Sequence, residues 1–206
     1  MVVLLSVLVI LISYGLGSLS FSYIITKKLT GADIRTKGSG NAGFTNAMRV
    51  LPKQWGLLVF VLDVLKGVIA VVIGRLLLDM PGGTLAMLFV IIGHMYPFWM
   101  QFRGGKGIAA GLGAFLALDW RIALISLCVF IVVVFITNYV SAGSVMAGVT
   151  LLIAGICYHP GIGYIAAFVA AAVLVIYKHR PNIERILRGE ESKLFKNRKW
   201  NPLERK

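Results

Sequence analysis

The apolar residues of this chain are gathered into long runs, and no other feature constrains its fold as strongly. Apolar residues scattered face by face build a soluble domain, whereas runs approaching twenty residues need lipid around them. Seven runs can be marked, at about residues 2–26, 55–78, 84–102, 107–118, 122–138, 144–158 and 161–177. Composition agrees: 58% of the 206 residues are hydrophobic and 14% are charged, where a soluble domain carries about a quarter. The expected fold is all-α, a polytopic transmembrane helix bundle of about seven membrane segments. It forms a single integral membrane domain over 1–206, with 178–206 as a basic cytoplasmic tail. Three of the runs are short, so a five-span arrangement with two re-entrant segments is the alternative. The first run lacks a basic leader and is too long for a signal sequence, which makes it a retained span.

Charge orients the bundle. The net charge is +13, from 21 Lys and Arg against 8 Asp and Glu. The cations flank apolar runs, which suits lipid headgroups or phosphate ligands better than nucleic acid. Lys27, Lys28, Arg35, Lys37, Arg49 and Lys53 follow the first run, Arg103 and Lys106 follow the third, and the tail is rich in Lys and Arg. The opposite loops carry only Arg75 and Arg121, each near an aspartate. The basic face is therefore read as cytoplasmic, with the N-terminus outside and the C-terminus inside. Cys128 and Cys157 lie within apolar runs, and no HExxH or CxxC spacing occurs, so neither metal nor cofactor is expected.

All the glycine-rich and polar segments fall on that basic face. The stretch 37–49, KGSGNAGFTNAMR, combines glycines that can turn N–H groups toward an anion with Ser39, Thr45 and Asn46 as donors. A helix starting near Thr45 would place Arg49 one turn on, where it can grip phosphate in a bidentate manner. In 103–107, RGGKG, Lys106 sits at a helix start, a place that favours anions, so a bound phosphate would resolve the conflict. His94 lies in an apolar run just before. Asp63 and Lys66 are intramembrane charges three residues apart, on one helix face, and read first as a structural pair. After the last run, Lys178, His179, Arg180, Asn182, Arg185 and Arg188 follow in close order, with Pro181 able to open a short helix. No GxSxG elbow, Walker A loop or triad spacing is present.

The segments GSGNAGFTNAMR, LDVLKG, GHMYPFWMQFRGGKGIA and HRPNIERILRGEE together resemble the bacterial acyl-phosphate:glycerol-3-phosphate acyltransferase family, in the family's order and over nearly the whole chain. The resemblance implies transfer of a fatty acyl group from acyl phosphate to the 1-hydroxyl of glycerol 3-phosphate, giving lysophosphatidic acid and phosphate. It also implies a multi-pass enzyme of the bacterial cytoplasmic (inner) membrane, its active site facing the cytoplasm. Its partners would be the two substrates and membrane lipid, not nucleic acid. Carried over by motif position, Lys106, Arg49, His179 and Asn182 are the expected catalytic residues. Ser39, Gly40, Asn41, Ala42, Thr45, Asn46, His94, Gly104, Gly105, Gly107, Arg185 and Arg188 are the expected phosphate-binding residues. An acyl phosphate has a good leaving group, so no covalent nucleophile is required, and a substrate phosphate could take the hydroxyl proton in place of His179. The acyl chain is expected in a groove of small residues such as 107–113. The chief alternative is an organophosphate or anion transporter. A scaffold binding anionic lipid through the tail is a third reading, though it leaves Lys106 and the GSGN loop without a purpose.

Overall fold

The structure is a computed structural model and describes residues 1–194; the tail expected beyond that point lies outside the described residues. The helices are α1 Val2–Ser18, α2 Phe21–Thr30, α3 Phe44–Val50, α4 Lys53–Met95, α5 Ile108–Leu118, α6 Trp120–Thr137, α7 Val140–Tyr158, α8 Ile162–Lys178 and α9 Arg180–Leu187. No strand occurs among the described residues. Large side chains such as Leu76, Phe135, Ile136 and Ile162 stand exposed on the outside, while Val71, Met87, Val90, Phe115 and Phe168 are buried within. An apolar surface around an apolar core is the arrangement lipid permits and water does not.

Each of the seven runs is helical, with three changes of detail. The first run is two helices, α1 and α2, broken at Leu19 and Ser20. The break is held by Lys66, whose Nζ donates to the carbonyls of Gly17 at 3.1 Å and Leu19 at 2.7 Å, oxygens that a helix end leaves without partners. The second and third runs form α4, whose backbone departs from helical angles at Leu78 and Asp79, where Asp79 has a φ of 50°. The chain doubles back there. Asp63 of the first limb and His94 of the second stand 3.5 Å apart, where a continuous helix would separate them by about 46 Å. The turn comes earlier than the Asp79–Gly83 signal implies, because Pro81 fits the first turn of a new helix, where its missing N–H has no partner to lose. Finally, the second limb stops at Met95 and the chain continues through a short 3₁₀ turn, Phe98–Met100.

Small residues let the helices touch by backbone, as membrane packing favours. A Cβ on Gly17 of α1 would strike the Val90 carbonyl, and one on Gly113 of α5 would strike that of Val64. Among the described residues, four stretches are long and apolar enough to cross a membrane: Val2–Thr30, Lys53–Met100, Trp120–Thr137 and Val140–Tyr158. The bent pair α8–α9 makes a fifth, and the Lys53–Met100 stretch holds both limbs of the hairpin. Helix α5 has 11 residues, short of a crossing on its own, and packs against α4.

Candidate active site

Two loops and one helix junction meet at one end of the bundle. The first loop, 37–43, is shaped by Asn46, which is 1% exposed. Its Oδ1 accepts from the Ser39 N–H at 2.8 Å, and its Nδ2 donates to the carbonyls of Lys37 at 2.9 Å and Ile34 at 3.3 Å. Gly38 and Gly40 adopt positive φ, the region that glycine enters at no cost. The Gly40 N–H donates to Lys37 O at 3.0 Å. Helix α3 then begins at Phe44, one residue earlier than expected, and carries Thr45 and Arg49 toward the same side.

The second loop closes over the end of α4. The N–H groups of Gly104 and Gly105 donate to the carbonyls of Met95 at 3.1 Å and His94 at 3.0 Å. Neither position has room for a side chain: a Cβ on Gly104 meets the His94 carbonyl and Pro97, and one on Gly105 meets the His94 ring and the Ala42 carbonyl. Glycine N–H groups turned toward an anion were the sequence expectation for the first loop, yet the N–H groups of Ser39 and Gly40, like those of Gly104 and Gly105 in the second, are already bonded within the protein. The glycines hold the two loops against each other, and the anion-binding capacity passes to side chains. Gly107, at φ 79°, turns the chain into α5.

The third component is the α8–α9 junction. His179 is 2% exposed, and its Nδ1 lies 2.8 Å from the Val175 carbonyl. A carbonyl only accepts, so Nδ1 carries the proton and Nε2 keeps its lone pair. The Lys106 ammonium donates to Asn182 Oδ1. Burial lowers its own pKa to about 8; Glu191 opposes the shift, and Arg185 and Arg49 add to it. Asn182 Nδ2 donates to Glu191 Oε1 at 2.6 Å, Ser141 Oγ donates to the same oxygen at 2.8 Å, and Arg185 Nε donates to Oε2 at 2.7 Å. Burial pushes the Glu191 pKa up, but these hydrogen bonds outweigh it and the net shift is downward.

These parts surround a cavity of about 310 Å³. Of the expected residues, Ser39, Asn41, Thr45, Asn46, Arg49, His94, Lys106, Gly107, His179, Asn182 and Arg185 line it, and so does Asp63. Gly40, Ala42, Gly104, Gly105 and Lys66 are not among the residues that line it. Asp63 pairs with Lys66 at 2.7 Å, so that charge is answered inside the bundle. Arg188 is a correction: it sits exposed at the end of α9, away from the cavity. Gly189, at φ 73°, reverses the chain there, and Glu191 enters the site instead. Glu191 and Ser141 are the two participants that sequence reasoning missed. Arg49, Lys106 and Arg185 outnumber the two lining carboxylates, Glu191 and Asp63, and Asp63 is already paired with Lys66, which leaves an excess of positive charge suited to phosphate. From there the cavity runs inward between α5, α6, α7 and α8, past Ile108, Gly111, Leu112, Ala147, Gly148 and Val175.

Comparison with known proteins places this geometry. The family model described as glycerol-3-phosphate acyltransferase matches residues 7–189. The glycerol-3-phosphate acyltransferase of Clostridioides difficile strain 630 is 46% identical, over 91% of this chain and 95% of its own. That of Thermoanaerobacter sp. strain X514 is 42% identical, over 92% and 96%. Among solved structures, the glycerol 3-phosphate form of PlsY (YgiH), an integral membrane glycerol 3-phosphate acyltransferase, superposes with a TM-score of 0.86 at 35% identity, covering 92% of this chain and 96% of that one. Its lysophosphatidic acid form gives 0.83 at 34% identity, covering 91% and 94%.

Proposed function

The chain belongs to the glycerol-3-phosphate acyltransferase family, and on that premise we propose that its acyl donor is an acyl phosphate. It is an integral membrane enzyme that acylates glycerol 3-phosphate to lysophosphatidic acid. The observation that carries the donor reading is the continuity of the cavity: a cation-rich end opens directly into an apolar groove. A donor with phosphate at its head and an alkyl chain behind it fits that sequence of environments, as does a phosphorylated product.

In the proposed reaction the acceptor hydroxyl oxygen attacks the acyl carbonyl carbon. The carbon–oxygen bond to phosphate breaks, and inorganic phosphate departs with the bonding pair. Lys106, Arg49 and Arg185 neutralise charge on the phosphates, which improves the leaving group and holds the reactants together. Glu191 and Asn182 orient Arg185 and Lys106. The hydroxyl proton passes to a phosphate oxygen of a substrate, which titrates near neutrality, with His179 Nε2 as a hydrogen-bond acceptor that aligns the hydroxyl. The acyl chain lies in the groove past Gly107, Gly111 and Leu112.

We place the active site on the cytoplasmic face of the bacterial inner membrane, with the N-terminus outside, following the distribution of cations. Gathering the ligand-type residues at one end of the bundle favours an enzyme over a transporter, whose site belongs near midplane. The test is lysophosphatidic acid formation by purified protein from palmitoyl phosphate and glycerol 3-phosphate. Product from the wild type, and a loss of roughly 100-fold or more in Lys106→Ala, is the expected result. Product from acyl-CoA or acyl carrier protein alone would overturn the donor assignment.

A further inference from the structure

Two aromatic rings are the lining residues farthest from Lys106 along α5 and from His179 along α8. Phe115 of α5 and Phe168 of α8 both line it, each is 1% exposed, and their centroids lie 5.8 Å apart. The Phe168 ring has its place because residue 155 of α7 is glycine: a Cβ there would come within 2.7 Å of the ring. On its other side the ring faces His159 at 6.3 Å. His159 Nε2 is 3.0 Å from Asp119 Oδ2, and Asp119 caps the start of α6 by accepting from the Arg121 N–H. The barrier is thus backed by a polar clasp at the far end of the bundle, where yielding lipid would otherwise lie. Along α8, Phe168 is about 16 Å from His179 by helical rise, within reach of a fatty acyl chain whose carbonyl sits beside Lys106.

We infer that Phe168, with Phe115 beside it, sets how many methylenes of the acyl donor the cavity accepts, and so selects donors by chain length. This rests on the acyl-phosphate reading above. Each methylene buried in the groove strengthens binding of the reacting chain by roughly fourfold. A chain that reaches the rings gains nothing further, because packed aromatic side chains yield only at the cost of leaving their rotamers. Shrinking Phe168 lets the gain continue over additional methylenes.

The experiment is a competition. Wild type, Phe168→Leu and Phe168→Ala are each given an equimolar series of saturated acyl phosphates, octanoyl to stearoyl, with glycerol 3-phosphate, and the products are resolved by mass. Product ratios then report ratios of kcat/KM. The expected result is a shift of the preference toward longer donors in both variants, further for Ala, by roughly fourfold for each methylene newly accommodated. Octanoyl phosphate, too short to reach the rings, keeps its rate and reports an intact site. Gly155→Ala, which presses the ring toward the groove, moves the preference toward shorter donors. An unchanged profile with a uniform loss of rate would overturn the inference while leaving the donor reading standing. Absence of product from every acyl phosphate with the wild type would overturn the donor reading, and the inference with it.

Discussion

At the scale of single residues, the site depends on charges whose protonation its own burial has shifted. Lys106 titrates at about 8, first because burial disfavours its charge. Its grip on phosphate is present below that value and lost above it. The pH profile of kcat/KM, which reports the free enzyme, should therefore fall above about pH 8 with the slope of one proton. In Lys106→Arg the guanidinium stays charged, so that decline should vanish, although the fork replaces a point charge and kcat falls roughly tenfold. His179 differs in kind. Its Nδ1 is held against the Val175 carbonyl, which leaves Nε2 to accept. An asparagine can keep the donation to Val175 while removing that acceptor. His179→Asn should lower kcat by less than the roughly 100-fold typical of deleting a general base. Complete loss with glycerol 3-phosphate binding preserved would make His179 the base and defeat the substrate-assisted step. Both side chains stood out in the sequence because a cation at a helix start and a histidine after a span are unusual. Glu191 did not. Gly189 marks a helix end, but nothing in the run GEE says which glutamate turns inward.

At the scale of elements, the two glycine-rich loops act as packed joints. Asn46 holds the first loop with three hydrogen bonds. Asn46→Ala leaves the Ser39 N–H and the Lys37 carbonyl without those partners, at a cost of about 1–3 kcal/mol. It should raise the KM for glycerol 3-phosphate more than it lowers kcat. Gly105 and Gly163 make a controlled contrast. A methyl at Gly105 strikes the His94 ring and the Ala42 carbonyl, whereas one at Gly163, near the start of α8, meets nothing within 4 Å. Gly105→Ala should abolish most activity by separating the two loops. Gly163→Ala should leave activity intact and stabilise by up to about 1 kcal/mol through helix propensity. Thermal unfolding in detergent, measured beside product formation, distinguishes the two. The helical runs were legible because lipid-facing and core positions are both apolar, which writes spans as long blocks. That same uniformity hid the break between α1 and α2. It is held by Lys66, forty-odd residues away, and a distant side chain leaves no local trace.

At the scale of the whole molecule, one end of the bundle carries the phosphate chemistry and the other a small clasp of Asp119, Arg121 and His159. The separation of basic from neutral loops was readable from charge alone. The meeting of residues near 40, 106, 182 and 191 around one cavity was not, since it follows from helix packing that spacing does not encode. Positive-inside asymmetry makes a topological claim that can be measured directly. Cys128 and Cys157 face outward within α6 and α7 and are replaced by serine. Single cysteines then go in at the exposed Lys37, at Arg103 and at Gly161, the last in the α7–α8 turn. A membrane-impermeant maleimide should label the first two only in inverted vesicles and the third in intact spheroplasts. Catalysis sharpens the test: prior glycerol 3-phosphate should protect the cysteine at Lys37, two residues before Ser39 of the cavity, and leave the one at Gly161 unprotected. Labelling of the cysteines at Lys37 and Gly161 from the same side would rule out an odd number of crossings between them. Labelling of all three in the reverse sense would invert the bundle and place the phosphate site outside the cell.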